Sequence, residues 1–306
     1  MHWIIDTDAG VDDAIAIVLP FVPGRYPEFT LDALTTVTGN VHVDKVNVNV
    51  GALLDLLGAD IPFFAGCDRP MTEPHVHAEE YHGRDGLGDA GLSKTSRKPG
   101  GEHAALTISR LSKAHAGNFS IVALGPLTNL ALAVNLDPGL PQRLEQLVIM
   151  GGAWQARGNQ TSAAEFNIAV DPESARVVFE RFENIIVLPW EVSLDQGMPW
   201  DRLFKISAGT TGRAQFLRAM TPLATRWRTK YQFAGVPLPD PLAVMIALNR
   251  QMITRDIPCR VEIDVARDCG RALSTLDRRH PKPNARVVTA VNDALAWDML
   301  EMAWGL

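Results

Sequence analysis

Residues 4–19 read IIDTDAGVDDAIAIVL. An apolar run stops at Ile5. Four aspartates follow within eight positions, at 6, 8, 12 and 13, and an apolar helical pattern then begins. The stretch reads as a strand, the turn DTDAGVDD, and a helix that starts near Asp12. Asp12 and Asp13 fall in the helix's first turn, where the dipole favours anions. Capping explains either one alone, but not all four. Crowded carboxylates at the edge of a core call for a positive centre. Calcium takes ~6–8 oxygen ligands and magnesium six. Gly10 reads as the turn residue that lets the backbone fold around such a centre.

The chain has 306 residues, 46% of them hydrophobic, and a net charge of −6. That is enough for a buried core, and the expectation is one domain over residues 1–306. The acidic balance argues against a nucleic-acid partner. The three cysteines, Cys67, Cys259 and Cys269, form no CxxC pair, so neither a zinc knuckle nor a disulfide framework is expected, and a reduced cytoplasmic protein is. MHWIIDTDAG at 1–10 has no basic n-region and does not read as a signal peptide. No apolar run is long enough for a bilayer, so no membrane contact is expected. The NxS/T sequons at Asn118 and Asn159 are then chance matches or serve another purpose.

Short apolar runs alternate with longer helical patterns. Strands are expected at Trp3–Ile5, Leu31–Val37, Ile61–Phe64, Ser120–Leu124, Leu147–Met150, Ile185–Leu188, Arg260–Asp264 and Arg286–Val291. Several lack polar alternation, as strands covered on both faces do. Asp44 reads as the cap of KVNVNVGALLDLL, which Gly58 stops. Asp171-Pro172 opens PESARVVFERF with proline at the first helical position. Further helices are expected near 102–116, 127–135, 211–232, 241–249 and 293–304. The fold class is therefore α/β: an open, mostly parallel, Rossmann-like sheet with helices on both faces. The Met and Trp residues of the last helix serve the core or an oligomer contact, and the assembly expected is a homodimer or homotetramer. The long loop 66–100 reads as a functional lid.

In such sheets ligands bind beyond the carboxyl ends of the strands. TTVTGN (35–40) puts Asn40 there, ALGPLTN (123–129) puts the Leu124 carbonyl, Thr128 and Asn129 there, and VIMGG (148–152) puts Met150 there. GNQTSAAEFNIAVDPE (158–173) adds Asn159, Glu165 and Asn167. Amides with carboxylates suit a polyhydroxylated ligand, because each hydroxyl needs a donor and an acceptor.

With DTDAGVDDAIAI, TTVTGN, ALGPLTN, VIMGG and AEFNIAVDPESA in this order, the chain resembles the inosine–uridine nucleoside hydrolase family from residue 4 to about 250. The resemblance implies a Rossmann-like α/β hydrolase that uses bound calcium to split the N-glycosidic bond of ribonucleosides. It implies Asp8, Asp13, the Leu124 carbonyl and Asp240 (in LPDPLAV) as calcium ligands, with Asp8 also the general base. Asp12, Asn40, Met150, Asn159, Glu165 and Asn167 would hold the ribose, His82 would contact substrate, and Asp6 would orient the ligand loop from behind.

Two places depart from that pattern. The family's usual leaving-group histidine, just before the fourth-ligand aspartate, is Pro239 here, and proline has no proton to give. His82, Tyr231, Trp190 as a stacking surface, or solvent then activates the base. LPWEVSLDQ (188–196) places Glu191 either as a contact to the base or as a capping or ion-pairing group. GLGDAG (86–91) has dinucleotide-loop spacing but follows no strand and opens no helix. His75 and His77 with His82 read as loop histidines before a transition-metal site. Two other functions compete. One is a calcium-dependent nucleoside or sugar binder without turnover. The other is a haloacid-dehalogenase-like phosphatase, which the sequence Ala9-Gly10 after Asp8 disfavours.

Overall fold

The computed structural model describes residues 1–72, 76–92, 94–266 and 270–305, so His75 and Cys269 lie outside the described residues. Among the described residues, nine strands form one sheet: β1 His2–Thr7, β2 Thr30–Thr36, β3 Phe63–Ala65, β4 Phe119–Ala123, β5 Leu144–Met150, β6 Ile185–Leu188, β7 Ile253–Ile263, β8 Ser274–Asp277 and β9 Ala285–Val291. Their order is β3-β2-β1-β4-β5-β6-β9-β7-β8. The strands from β3 across to β9 run parallel, and β7 is antiparallel to both β9 and β8.

The strand sequences explain the layers. Trp3 and Ile5 of β1 join the core on one face, while Ile4 joins the core on the other; Val122 and Ile121 of β4 divide in the same way. A strand buried on both faces reads as a continuous apolar run, which is why these strands show no alternation. The last helix, Asp293–Gly305, buries Trp297, Met299 and Trp304 in the first of these cores, so those side chains pack inside the chain. No described helix is long and apolar enough to cross a membrane.

Three local expectations change. The helix Val43–Leu57 is capped by His42, whose ring accepts from the Asp44 N–H, so Asp44 sits in the first turn instead. β7 begins at Ile253, well before Arg260. Its first half carries Arg255, Asp256 and Pro258 because one face meets solvent, where Asp256 pairs with Arg286 at 2.6 Å. β8 is a short edge strand with half-exposed side chains and little apolar signal.

The chain runs outward from β1 through β2 to β3, then returns to β4 on the other side of β1. The connection reverses between β1 and β4, and their carboxyl ends therefore form the crevice where α/β sheets hold ligands. Asp171 ties this rim together. Buried at the start of the helix Pro172–Arg181, it accepts from the Ser174 N–H (3.0 Å), the Ser174 hydroxyl (2.6 Å), the Thr128 hydroxyl (2.6 Å) and the Met71 N–H (3.1 Å). Asp171→Ala strands these buried donors, each of which costs ~1–3 kcal/mol when unpaired, with partial relief from water. The variant should lose about 3 kcal/mol in urea unfolding; an unchanged midpoint would show that the rim does not depend on this carboxylate.

Candidate active site

The turn after β1 is built by its own side chains. The Thr7 hydroxyl donates to Asp13 Oδ1 at 2.5 Å and accepts from the Ala9 N–H at 3.0 Å. Asp13 Oδ2 accepts from the Gly10 N–H at 2.9 Å, which closes the first turn of the helix Val11–Ile17. The strained residue is Ala9, at φ 41°, and the Asn49 amide holds its carbonyl at 3.1 Å. Gly10 has φ −77°, an ordinary value, so the expectation that it supplies conformational freedom fails. It supplies room: a Cβ there would lie 2.5 Å from Asn40 Nδ2 and 2.6 Å from His82 Nδ1.

Asp8 is buried against two glycines. A Cβ at Gly39 would stand 2.0 Å from Asp8 Oδ2, and one at Gly125 would stand 3.1 Å from Oδ1. Asp8 Oδ2 accepts from the Asn40 N–H at 2.7 Å. Among the described residues, Asp8 Oδ1 and Asp12 Oδ1 are buried with no hydrogen-bond partner. Asp240 arrives from the far end of the chain, in the first turn of the helix Pro239–Leu248, with Pro239 at its first position. Oxygens of Asp12, Asp13 and Asp240 all lie within 4.8 Å of one another.

The electrostatics of this cluster are one-sided. Burial, then the neighbouring carboxylates, pushes Asp8, Asp12 and Asp240 well above the usual carboxylate range. Asp13 and Asp240 stand close enough to share a hydrogen bond, which two ionised carboxylates do only with a positive charge or a proton between them. Two helix N-termini point at the cluster and favour negative charge there by ~0.3–1 kcal/mol each, too little to hold several buried carboxylates ionised. Among the described residues no lysine or arginine pairs with any of them. Orphaned buried oxygens and an all-oxygen donor set fit a hard metal ion, and the group Asp12, Asp13 and Asp240 can hold one.

A cavity of about 410 Å³ opens above the cluster. Asp12, Asn40, His82, Leu124, Met150, Asn159, Glu165, Asn167 and Asp240 all line it, while Asp6, Asp8 and Asp13 are buried behind its lining. Asn167 Nδ2 donates to the Leu124 carbonyl at 2.6 Å, so its Oδ1 is left for a ligand. Glu165 caps the helix Phe166–Val170 by accepting from the Asn167 and Ile168 N–H groups, and it also accepts from the Gly152 N–H at 2.9 Å. Burial raises its carboxyl to about 7. Asn159 Oδ1 accepts from the Phe166 N–H at 2.8 Å, leaving its NH2 free to donate to a ligand. Asp6 accepts from the Thr35 hydroxyl (2.6 Å) and Asn129 Nδ2 (2.8 Å), and Asn129 also binds the Thr36 carbonyl at 2.9 Å. Asp6 thus locks the ends of β1 and β2 to the helix after β4.

The other half of the cavity is aromatic. Tyr81 stacks on Tyr231 with centroids 4.9 Å apart and planes 9° apart, and Tyr231 stacks on Phe233 at 5.4 Å. Trp227 donates from Nε1 to the Tyr81 carbonyl at 3.0 Å and meets His82 edge-on at 6.2 Å. Trp190 and Phe166 complete the lining. His82 Nδ1 accepts from the Val11 N–H at 3.1 Å, so the ring carries its proton on Nε2; burial lowers its pKa to about 4 and keeps it neutral. His77 lines the same wall, with Nδ1 3.1 Å from the Gly39 carbonyl. Tyr81, Trp227 and Phe166 went unread in the sequence. The signal was available in part, since Trp227 and Tyr231 share one face of a helix at i, i+4.

Glu191 is not a contact to the cavity. Its buried carboxylate accepts from the backbone N–H groups of Trp154 (3.1 Å), Gln155 (2.9 Å) and Arg157 (3.2 Å). It pins the loop that leads to Asn159 and Gln160, and Arg157 pairs with Asp195 of the same helix at 2.9 Å.

Comparison with known proteins agrees with this geometry. The family profile described as inosine-uridine preferring nucleoside hydrolase matches residues 3–298. A protein of that name from Leishmania major is 32% identical over 294 residues, covering 94% of this chain and 91% of its own. Uridine nucleosidase 1 from Arabidopsis thaliana is 34% identical over 255 residues, covering 82% and 75%. Among solved structures, a plant nucleoside hydrolase superposes with a TM-score of 0.92 at 30% identity, covering 99% of this chain and 98% of that one. The carboxylate turn, the strand-edge amides and these matches span nearly the whole chain, which belongs to the inosine-uridine preferring nucleoside hydrolase family.

Proposed function

We propose that this protein hydrolyses the N-glycosidic bond of ribonucleosides, giving ribose and the free base. The observation that carries the reading is the two-ended cavity. A floor of oxygens and amides faces a wall of stacked aromatics, which suits a polyol joined to a flat ring. The relatives named for nucleoside hydrolysis support it.

We take the ion to be calcium, held by Asp8, Asp13, Asp240 and the Leu124 carbonyl. When bound, calcium would orient water and the sugar hydroxyls and make the water more acidic, though far less than zinc does. Asp8 supplies the general base, a role supported by its Oδ1, which has no hydrogen-bond partner among the described residues. Asp12, Asn40, Asn159, Glu165 and Asn167 hold the ribose hydroxyls. Bond cleavage makes the sugar oxocarbenium-like, and the surrounding carboxylates stabilise that positive charge. With Pro239 in place of a histidine, the leaving base takes its proton from the aromatic side. His82 Nε2 and the Tyr231 hydroxyl, with the Tyr81 hydroxyl on the same wall, are donors there, and stacking on the aromatic wall fixes the ring.

A panel of nucleosides assayed for base release, with and without chelator, tests the reading. Release from at least one nucleoside, lost on chelation and restored by calcium, is expected; binding without release across the panel would favour a sugar-binding protein instead. Asp8→Asn should lower kcat by ~10²–10⁴-fold with little change in unfolding midpoint. Near-normal turnover would remove Asp8 from the base role. Asp13→Ala and Asp240→Ala should each reduce bound calcium measured by elemental analysis, and full metal content in either would remove that ligand. Glu191→Gln removes the charge that holds three N–H groups of the loop before Asn159. It should raise KM several-fold more than it lowers kcat, and equal losses in both would argue against a ground-state positioning role.

A further inference from the structure

A second cluster of ligating side chains stands at the amino edge of the sheet, at the other end of β1 from Asp8 and about 20 Å away along the strand. His2 opens β1, Asp32 lies in β2, and His115 ends the helix Ala104–Ala114 on the way to β4. Ligand atoms of the three residues all lie within 4.8 Å of one another. His2 Nδ1 is 3.0 and 3.1 Å from the two oxygens of Asp32, and His115 Nε2 is 4.0 Å from Asp32 Oδ1. The two imidazoles stack face to face, with centroids 3.6 Å apart and planes 7° apart.

We propose that His2, Asp32 and His115 form a second metal site, selective for a borderline transition cation such as zinc and separate from the acidic cluster. The donor chemistry divides the two sites. Two imidazole nitrogens with one carboxylate suit zinc, copper or nickel, whereas an all-oxygen cluster suits calcium or magnesium. The distances fit as well. A tetrahedral zinc at ~2.0–2.1 Å from each donor sets neighbouring ligand atoms about 3.3 Å apart. The observed 3.0 and 4.0 Å lie on either side of that value. At 4.0 Å, His115 is too far from Asp32 for a hydrogen bond; because imidazole lone pairs lie in the ring plane, an ion shared by the two rings requires one of them to turn out of the stack about its soft outer torsion.

The framework around the site is rigid. His2 is paired in register with Thr30 on one side and Phe119 on the other. The Asn118 N–H donates to the His115 carbonyl at 2.9 Å, and the His2 N–H donates to the Asn118 carbonyl at 3.0 Å. With metal on His2 Nδ1, the neutral ring carries its proton on Nε2; His115 ligates through Nε2 and carries its proton on Nδ1. All three side chains keep part of their surface in solvent, so water completes the coordination. A bound ion would join β1, β2 and the approach to β4 at one point.

The test is a zinc titration of the full chain against a chromophoric chelator, with millimolar calcium present throughout. Wild-type protein should bind one zinc. His115→Ala and Asp32→Asn should each bind it at least about tenfold more weakly, with nucleoside hydrolysis retained as proof of folding. His280→Ala, in a distant exposed loop, should bind zinc like the wild type. Equal zinc affinity in wild type and His115→Ala, or no zinc bound by the wild type, would overturn the site. If the variants do not fold, copper(II) added to the wild type under the same conditions gives an independent reading by electron paramagnetic resonance. Superhyperfine splitting from two nitrogens is expected, and an all-oxygen spectrum would overturn the proposal.

Discussion

Four clustered carboxylates, three buried and one partly buried, with no lysine or arginine to answer them among the described residues, set the terms for the rest of this molecule. Asp8, Asp12, Asp13 and Asp240 are brought together by two helix N-termini and the end of β1. Like charges in a low-dielectric interior repel strongly, and the surrounding hydrogen bonds answer only part of that cost. Thr7, Gly10 and Asn40 satisfy Asp13 and one oxygen of Asp8, while Asp8 Oδ1 and Asp12 Oδ1 are left without partners among the described residues. A fold that keeps such a cluster has a use for it, and a divalent cation meets both the charge and the missing bonds.

The sheet topology then decides what can sit above the carboxylate cluster. Reversal of the chain between β1 and β4 leaves a crevice at their carboxyl ends, and β5 and the segment after it bring Met150, Glu165 and Asn167 to the same rim. The opposite wall comes from elements outside the parallel sheet. The segment 76–82 and the helix Gly212–Tyr231 supply Tyr81, His82, Trp227 and Tyr231. Most of the aromatic half therefore comes from other parts of the chain than the polar half, with Phe166, between Glu165 and Asn167, as an exception. Pro239 stands at the boundary between them, as the first residue of the helix that carries Asp240.

Part of the polar half was legible in the sequence because its residues stand just past strand ends, which are marked by the change from apolar run to glycine and polar residues, whereas Asp240, in the first turn of a late helix, was legible only through the family resemblance. Asp8, Asn40, Leu124 and Met150 all follow that rule, and the structure brings them to one rim. The aromatic wall was mostly illegible, because Trp227 sits on an amphipathic helix where a tryptophan reads as ordinary core. Glu191 was ambiguous for a different reason: its partners are backbone N–H groups, which carry no sequence signal. The early half of β7 and the edge strand β8 were missed because solvent on one face admits charged residues and proline. The trio of His2, Asp32 and His115 is separated by 30 and 83 positions, and only the pairing of β1 with β2 and β4 brings it together.

The most direct test of the central claim is a crystal structure grown with calcium and free ribose, with the ion identified by its anomalous scattering. A single calcium within ~2.3–2.6 Å of oxygens from Asp8, Asp13, Asp240 and the Leu124 carbonyl is the expected result, with ribose hydroxyls completing its coordination. A fully folded protein with no ion among these carboxylates, or with calcium bound elsewhere and ribose outside the cavity, would contradict it.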